Sequence, residues 1–141
     1  MSVGLSIGEA ARQSGVKVPT IRFYEQIGLL PTPPRTDGNR RLYQDDDVRR
    51  LAFIRHSREL GFDIEAIRTL LTLQDNPNQS CERADLIARE RLREVEERIE
   101  RLMALKQELQ AMIDNCSHGA LSECRVICNL ADHGNCIHHH H

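Results

Sequence analysis

The chain has 141 residues, a formal net charge of -2, 40% hydrophobic residues, 4% aromatics and no tryptophan. That length suits one domain, or one small domain plus an extended helix, and excludes a large enzyme core. So few aromatics imply an aliphatic, mostly helical protein and argue against a base-stacking platform for single-stranded nucleic acid.

Ser6 and Glu9 form a capping box ahead of a short helix whose apolar positions include Ile7, Ala10 and Ala11, with Ser14-Gly15 as its end. A second helix is predicted from Val18 or Pro19 to Ile27, since proline is tolerated in a first turn and Gly28 supplies a stop. Two short helices about a tight glycine-containing turn make a helix-turn-helix, whose second helix enters the DNA major groove. Pro31, Pro33 and Pro34 then enforce an extended connection. From Arg35 to Tyr43 a turn dipeptide lies between extended-prone residues, which predicts a small hairpin or wing carrying three arginines.

Asp45 to Asp47 read as the acidic first turn of a helix over 46–59 that offers Val48, Leu51, Phe53 and Ile54 to a core. Asp63 caps a fourth helix with Ile64, Ile67, Leu70 and Leu71 on one face. After the break at Asn76-Pro77-Asn78, Ser80 starts the longest element. From Cys81 to about Asn115 there is no glycine or proline, and Leu92, Val95, Ile99, Leu102, Leu105, Leu109 and Met112 recur at spacings of three and four. Roughly 35 helical residues span about 50 Å, too long to bury such a stripe against a domain this small. An antiparallel or parallel homodimeric coiled coil is the economical solution, with a helix folded back on its own domain as the alternative; a two-fold dimer gives a DNA reader two half-sites.

Basic residues outnumber acidic ones over 1–60 and the balance reverses over 76–141, so the first half is the part suited to phosphate. No apolar run reaches the roughly 18 residues of a membrane span and no leader pattern opens the chain, so a cytoplasmic protein without membrane association is expected. There thiols stay reduced, and clustered cysteines bind metal more often than they form disulfides. All five cysteines lie in the second half: Cys81 at the start of the long helix, and Cys116, Cys124, Cys128 and Cys136 after its end. His138 to His141 look like the remnant of a purification tag and carry no functional weight.

The stretches Ile7-Gly8-Glu9-Ala10-Ala11, Thr20-Ile21-Arg22-Phe23-Tyr24-Glu25, Gly28-Leu29-Leu30, Arg35, Asn39-Arg40-Arg41-Leu42-Tyr43 and Ile54-Arg55 resemble the MerR family of bacterial transcription regulators. The resemblance implies a mainly α protein and no enzyme. Its parts are a winged helix-turn-helix with connecting helices over 1–75, an antiparallel coiled-coil dimerisation helix over 80–115, and a metal-binding effector loop and tail over 116–137. It assigns Thr20, Arg22, Tyr24, Arg35, Asn39, Arg40, Arg41 and Tyr43 to DNA, with Thr and Arg suited to phosphates or base edges. Phe23 is open between core packing and the DNA face, and Arg55 and His56 are further candidates near the wing.

In an antiparallel dimer Cys81 of one subunit meets Cys116 and Cys124 of the other, and the seven residues between those two allow a loop around one ion. Within the metal-responsive branch that the resemblance indicates, sensors of monovalent copper-type ions have serine where this chain has Cys81. A third thiolate suits Zn(II), Cd(II), Pb(II) or Hg(II) rather than linear Cu(I). Some zinc-responsive relatives carry a second cysteine where Ser117 stands, which leaves His118 as a candidate substitute. Cys128 falls on the side of Cys124 if 125–130 is helical, and His133 with Cys136 makes a candidate tail site.

The implied mechanism is activation. The dimer holds an over-long promoter spacer with and without metal, and metal binding changes the angle of the DNA-binding units until RNA polymerase can engage. Bending DNA over such a length costs about 1–6 kcal/mol, so the ion must bind the distorting conformer more tightly. A metal-resistance or efflux gene is the implied target. The rival readings are a redox or organic-ligand sensor of the same fold, a Cu(I)-type sensor, structural zinc in a constitutive DNA-binding protein, and, most weakly, a cysteine enzyme.

Overall fold

The computed structural model describes residues 4–115 and 124–131. Six helices follow in order: α1 (Ile7–Ser14), α2 (Val18–Gln26), α3 (Asp45–Glu59), α4 (Ile64–Gln74), α5 (Glu82–Asp114) and α6 (Arg125–Ala131). Two compact units divide the chain, residues 1–91 and residues 92–141.

In the first unit the helix ends obey local chemistry. The Ser6 hydroxyl accepts from the Glu9 amide at 3.2 Å, and α1 stops at Gly15, whose φ of 77° is a left-handed conformation that costs glycine little. Pro19 sits in the first turn of α2, and Gly28 (φ 80°) lets the chain turn so that the Leu29 amide reaches the Tyr24 carbonyl at 2.9 Å. At α3 a reciprocal pair forms: the Gln44 side chain accepts from the amide of Asp47, while the Asp47 carboxylate accepts from the Gln44 amide at 2.9 Å. The Asp63 carboxylate caps α4 through the Ala66 amide at 2.7 Å.

These ends aim the apolar faces inward. Ala10, Ile21, Leu29, Leu30, Leu51, Ile54, Ile67 and Leu71 form one core with the rings of Tyr24 and Tyr43, and Val48, Phe53 and Ile64 pack around it. Two long arginine reaches brace it. Arg55 Nε donates to the Ser14 carbonyl at 3.0 Å, holding the turn of the helix pair to α3. Arg50 Nε donates to the Leu29 carbonyl at 2.9 Å while its NH1 pairs with Asp75 at 3.1 Å, so the segment after α2 is tied to the end of α4.

The expected hairpin is present in minimal form. Arg35 bridges Arg41 antiparallel, Thr36 and Asn39 close a turn (2.8 Å), and Asn39 takes a φ of 64°. A second isolated bridge joins Leu5 to Tyr43, and no longer sheet forms among the described residues.

In α5, Leu92, Ile99, Leu102, Leu105, Leu109 and Ile113 are each about half exposed in the single chain, whereas Met112 is buried. No helix of the described residues is long and apolar enough to cross a membrane.

Candidate nucleic-acid interface and thiol positions

Helix α2 and the wing bring cations to one face. Arg22 from the helix and Arg35, Asn39, Arg40 and Arg41 from the wing line an open hollow of about 500 Å³ together with Ser6 and Ile7. Within it the arginines divide by what they already hold. Arg35 donates to the Asn39 carbonyl at 3.1 Å and so closes its own turn. Arg41 pairs with Glu25 at 2.7 Å. The side chains of Arg22 and Arg40 engage no partner among the described residues, which leaves both charges available to a phosphate.

On the other flank of α2, Lys17, Thr20, Tyr24, Arg55 and Arg58 border a second hollow with Gly15, Val16 and Glu59. Lys17 and Arg58 there were not singled out by motif. Their signal is positional: one precedes the reading helix and the other lies a turn short of Gly61. Thr20 is half-buried, and Tyr24 is 6% exposed, so its ring belongs to the core and only an edge meets the hollow. Phe23 is 48% exposed and stands outside the core, which resolves its alternative in favour of the outer face of α2.

Tyr43 departs from expectation. It is fully buried, its hydroxyl donates to Glu25 Oε2 at 2.6 Å, and no part of it is presented to a phosphate. Its hydroxyl ties the wing to α2. Burial, followed by the hydrogen bond to the Glu25 carboxylate, pushes the Tyr43 pKa up to about 12. Glu25 was visible in the motif only as an acid within a helix meant to face DNA, an oddity that signals a cationic partner.

Of the thiol positions, Cys81 is exposed immediately before α5, and its carbonyl accepts from the Asp85 amide at 2.9 Å in the helix's first turn. Cys124 directly precedes α6, where its carbonyl accepts from the Cys128 amide at 2.9 Å, so the helical spacing expected of these two cysteines is met. Cys81, Cys124 and Cys128 are not disulfide-bonded. Among the described residues no three histidine, cysteine or acidic side chains converge as a metal site. Cys116, His118, His133 and Cys136 lie outside the described residues. The donor chemistry is nonetheless soft: thiols at two helix starts fit a thiophilic ion and offer little to a hard one.

A helix pair with a short wing and an unpaired arginine on each defines a winged helix-turn-helix DNA-binding protein. Residues 5–74 match the family described as MerR HTH family regulatory protein, and residues 48–112 match the family described as MerR, DNA binding. The chain belongs to the MerR family and is a transcriptional regulator rather than an enzyme. It is 41% identical over 127 residues to the HTH-type transcriptional regulator ZntR of Escherichia coli (strain K12), covering 89% of each chain. A probable heavy metal-dependent transcriptional regulator of Haemophilus influenzae is 36% identical over 126 residues, covering 89% of this chain and 98% of that protein. Among solved structures, the transcription regulator PbrR691 from Ralstonia metallidurans CH34, in complex with lead(II), superposes with a TM-score of 0.78 at 35% identity over 90% of this chain and 99% of that one. By this similarity the chain groups with the heavy-metal-responsive branch of the family.

Proposed function

We propose that this regulator is a homodimeric promoter-binding protein that activates a metal-resistance or efflux gene when a soft divalent ion, Zn(II), Cd(II), Pb(II) or Hg(II), binds its cysteines. Arg22 and Arg40, without partners on either side of one hollow, carry the DNA half of this reading. Arg35 and Asn39 support it in the same hollow and Thr20 on the other flank of α2, and Arg41 lends its charge while paired. Phosphate contacts of this kind set register, whereas base edges at α2 set sequence.

Cys81, Cys116 and Cys124 are the proposed ligands, with His118, Cys128, His133 and Cys136 as further candidates. The exposed Cys81 at the head of a helix whose apolar stripe is uncovered in one chain supports a site shared between two subunits. The relatives named for heavy metal and solved with lead(II) support the class of ion. When bound, the ion supplies cross-linking of thiolates. The protein's own residues supply the rest: α5 pairs with its copy, and each N-terminal unit keeps its grip on one half-site. Because the ion can shift a conformational balance only by its preference for one state, it drives RNA polymerase engagement only if the DNA-distorting arrangement holds it more tightly.

The test is Cys81→Ser. This variant is expected to bind its promoter as the wild type does and to lose transcriptional induction by Cd(II), Pb(II) and Zn(II) salts. Ultraviolet thiolate-to-cadmium absorption should fall with it. Undiminished induction would rule out the proposed ligand set, and a response to oxidants alone would favour the redox reading.

A further inference from the structure

The wing and the reading helix are separate stretches of chain, joined by Pro31, Pro33 and Pro34 and meeting side chain to side chain at one polar knot. Glu25, in the last turn of α2, has a side chain only 4% exposed. One of its carboxylate oxygens lies 2.7 Å from Arg41 NH1, a buried ion pair in which neither atom makes a hydrogen bond, and the other accepts the Tyr43 hydroxyl at 2.6 Å. Both oxygens are thus taken by the wing, through residues two apart on one extended strand and so on one side of it. Arg40, the residue before Arg41, lines the hollow with Arg22.

A buried carboxylate is out of place in a surface built to attract phosphate. Its charge opposes the DNA, and without its partners it would be a desolvated anion. What it achieves is geometric: it fixes the wing against the helix. We infer that Glu25 is a positioning residue for DNA binding, clamping Arg41 and Tyr43 so that Arg40 of the wing and Arg22 of α2 address the same stretch of phosphate backbone. This rests on the reading that α2 and the wing bind DNA.

The sign of one substitution separates this role from simple electrostatics. Taken as a charge near DNA, Glu25 is repulsive, and Glu25→Gln should tighten binding. Taken as a clamp, the same change should weaken it. The reduced full-length protein would first enrich an operator duplex from a pool of random-sequence DNA. Fluorescence anisotropy would then compare wild type, Glu25→Gln, Arg41→Gln and the double variant on that duplex. Glu25→Gln is expected to lose affinity on the order of tenfold, the scale of one charge-assisted hydrogen bond. Arg41→Gln should lose a similar amount, and the double variant no more than the poorer single one, the mark of two groups acting as a unit.

Binding by Glu25→Gln as tight as or tighter than wild type overturns the inference, as does simple additivity in the double variant. Should Glu25→Gln unfold at the assay temperature, Tyr43→Phe, which removes one hydroxyl and keeps the core ring, takes its place. Weakened binding supports the clamp and unchanged binding overturns it. If the wild type enriches no duplex, the DNA-binding reading falls and this inference with it, an outcome distinct from failure of the variants alone.

Discussion

A tyrosine hydroxyl sealed beside a carboxylate gives up its proton late. The Tyr43 pKa lies near 12 against an ordinary value of 10.0, so the folded state holds this proton where the unfolded chain has released it. Stability from this group is therefore whole below about pH 10 and is lost as pH rises through 12. Denaturation midpoints should fall across that window, and Tyr43→Phe should flatten the fall. Absorbance at alkaline pH should show a late tyrosinate step that the same variant abolishes. The family resemblance implied that the wing's three arginines and Tyr43 all face phosphate. Which of them are used internally depends on strand alternation and on Glu25, 18 positions before Tyr43, and a linear motif does not display that pairing.

Most element ends were legible because their signals are local. Ser6, Gly15, Gly28 and Asp63 each act within four residues, and the structure uses Gly15, Gly28 and Asp63 as the sequence suggests; of the capping box at α1 only the Ser6 half forms, because the Glu9 carboxylate turns to Arg12 and Gln13. The Gln44–Asp47 pair at the head of α3 was not foreseen, since three successive aspartates read as dipole compensation and concealed that one of them folds back onto the chain. Gly15 offers the cleanest test at this scale. Its φ is 77°, and a methyl placed there would lie 3.1 Å from Arg55 Nε, the group that holds the Ser14 carbonyl. Gly15→Ala is expected to cost about 1–2 kcal/mol from the left-handed conformation alone. Chemical denaturation measures it, and a neutral result would mean that the turn relaxes.

For the molecule as a whole, the decisive feature is the stripe on α5. Its apolar spacing was plain in the sequence, and the structure leaves Leu92, Ile99, Leu102, Leu105 and Leu109 about half exposed in one chain. A row of that length is expected to be covered by a second copy. Each leucine buried there contributes about 1.5–3 kcal/mol, twice over by symmetry. Leu102→Glu should therefore raise the dimer dissociation constant on the order of a hundredfold or more. Light scattering across a dilution series reads this directly, and a wild-type protein monomeric at micromolar concentration would contradict the coiled coil.

The arginine braces carry a mechanical corollary. With Arg50 joining the Leu29 carbonyl to Asp75, Arg55 joining Ser14 to α3, and Arg91 Nε on the Leu60 carbonyl at 2.8 Å, the four short helices and the root of the long one behave as a stiff casting. Such a body has little internal play to tune. If α5 carries the proposed metal signal, these ties would hand it to residues 4–91 as to one piece.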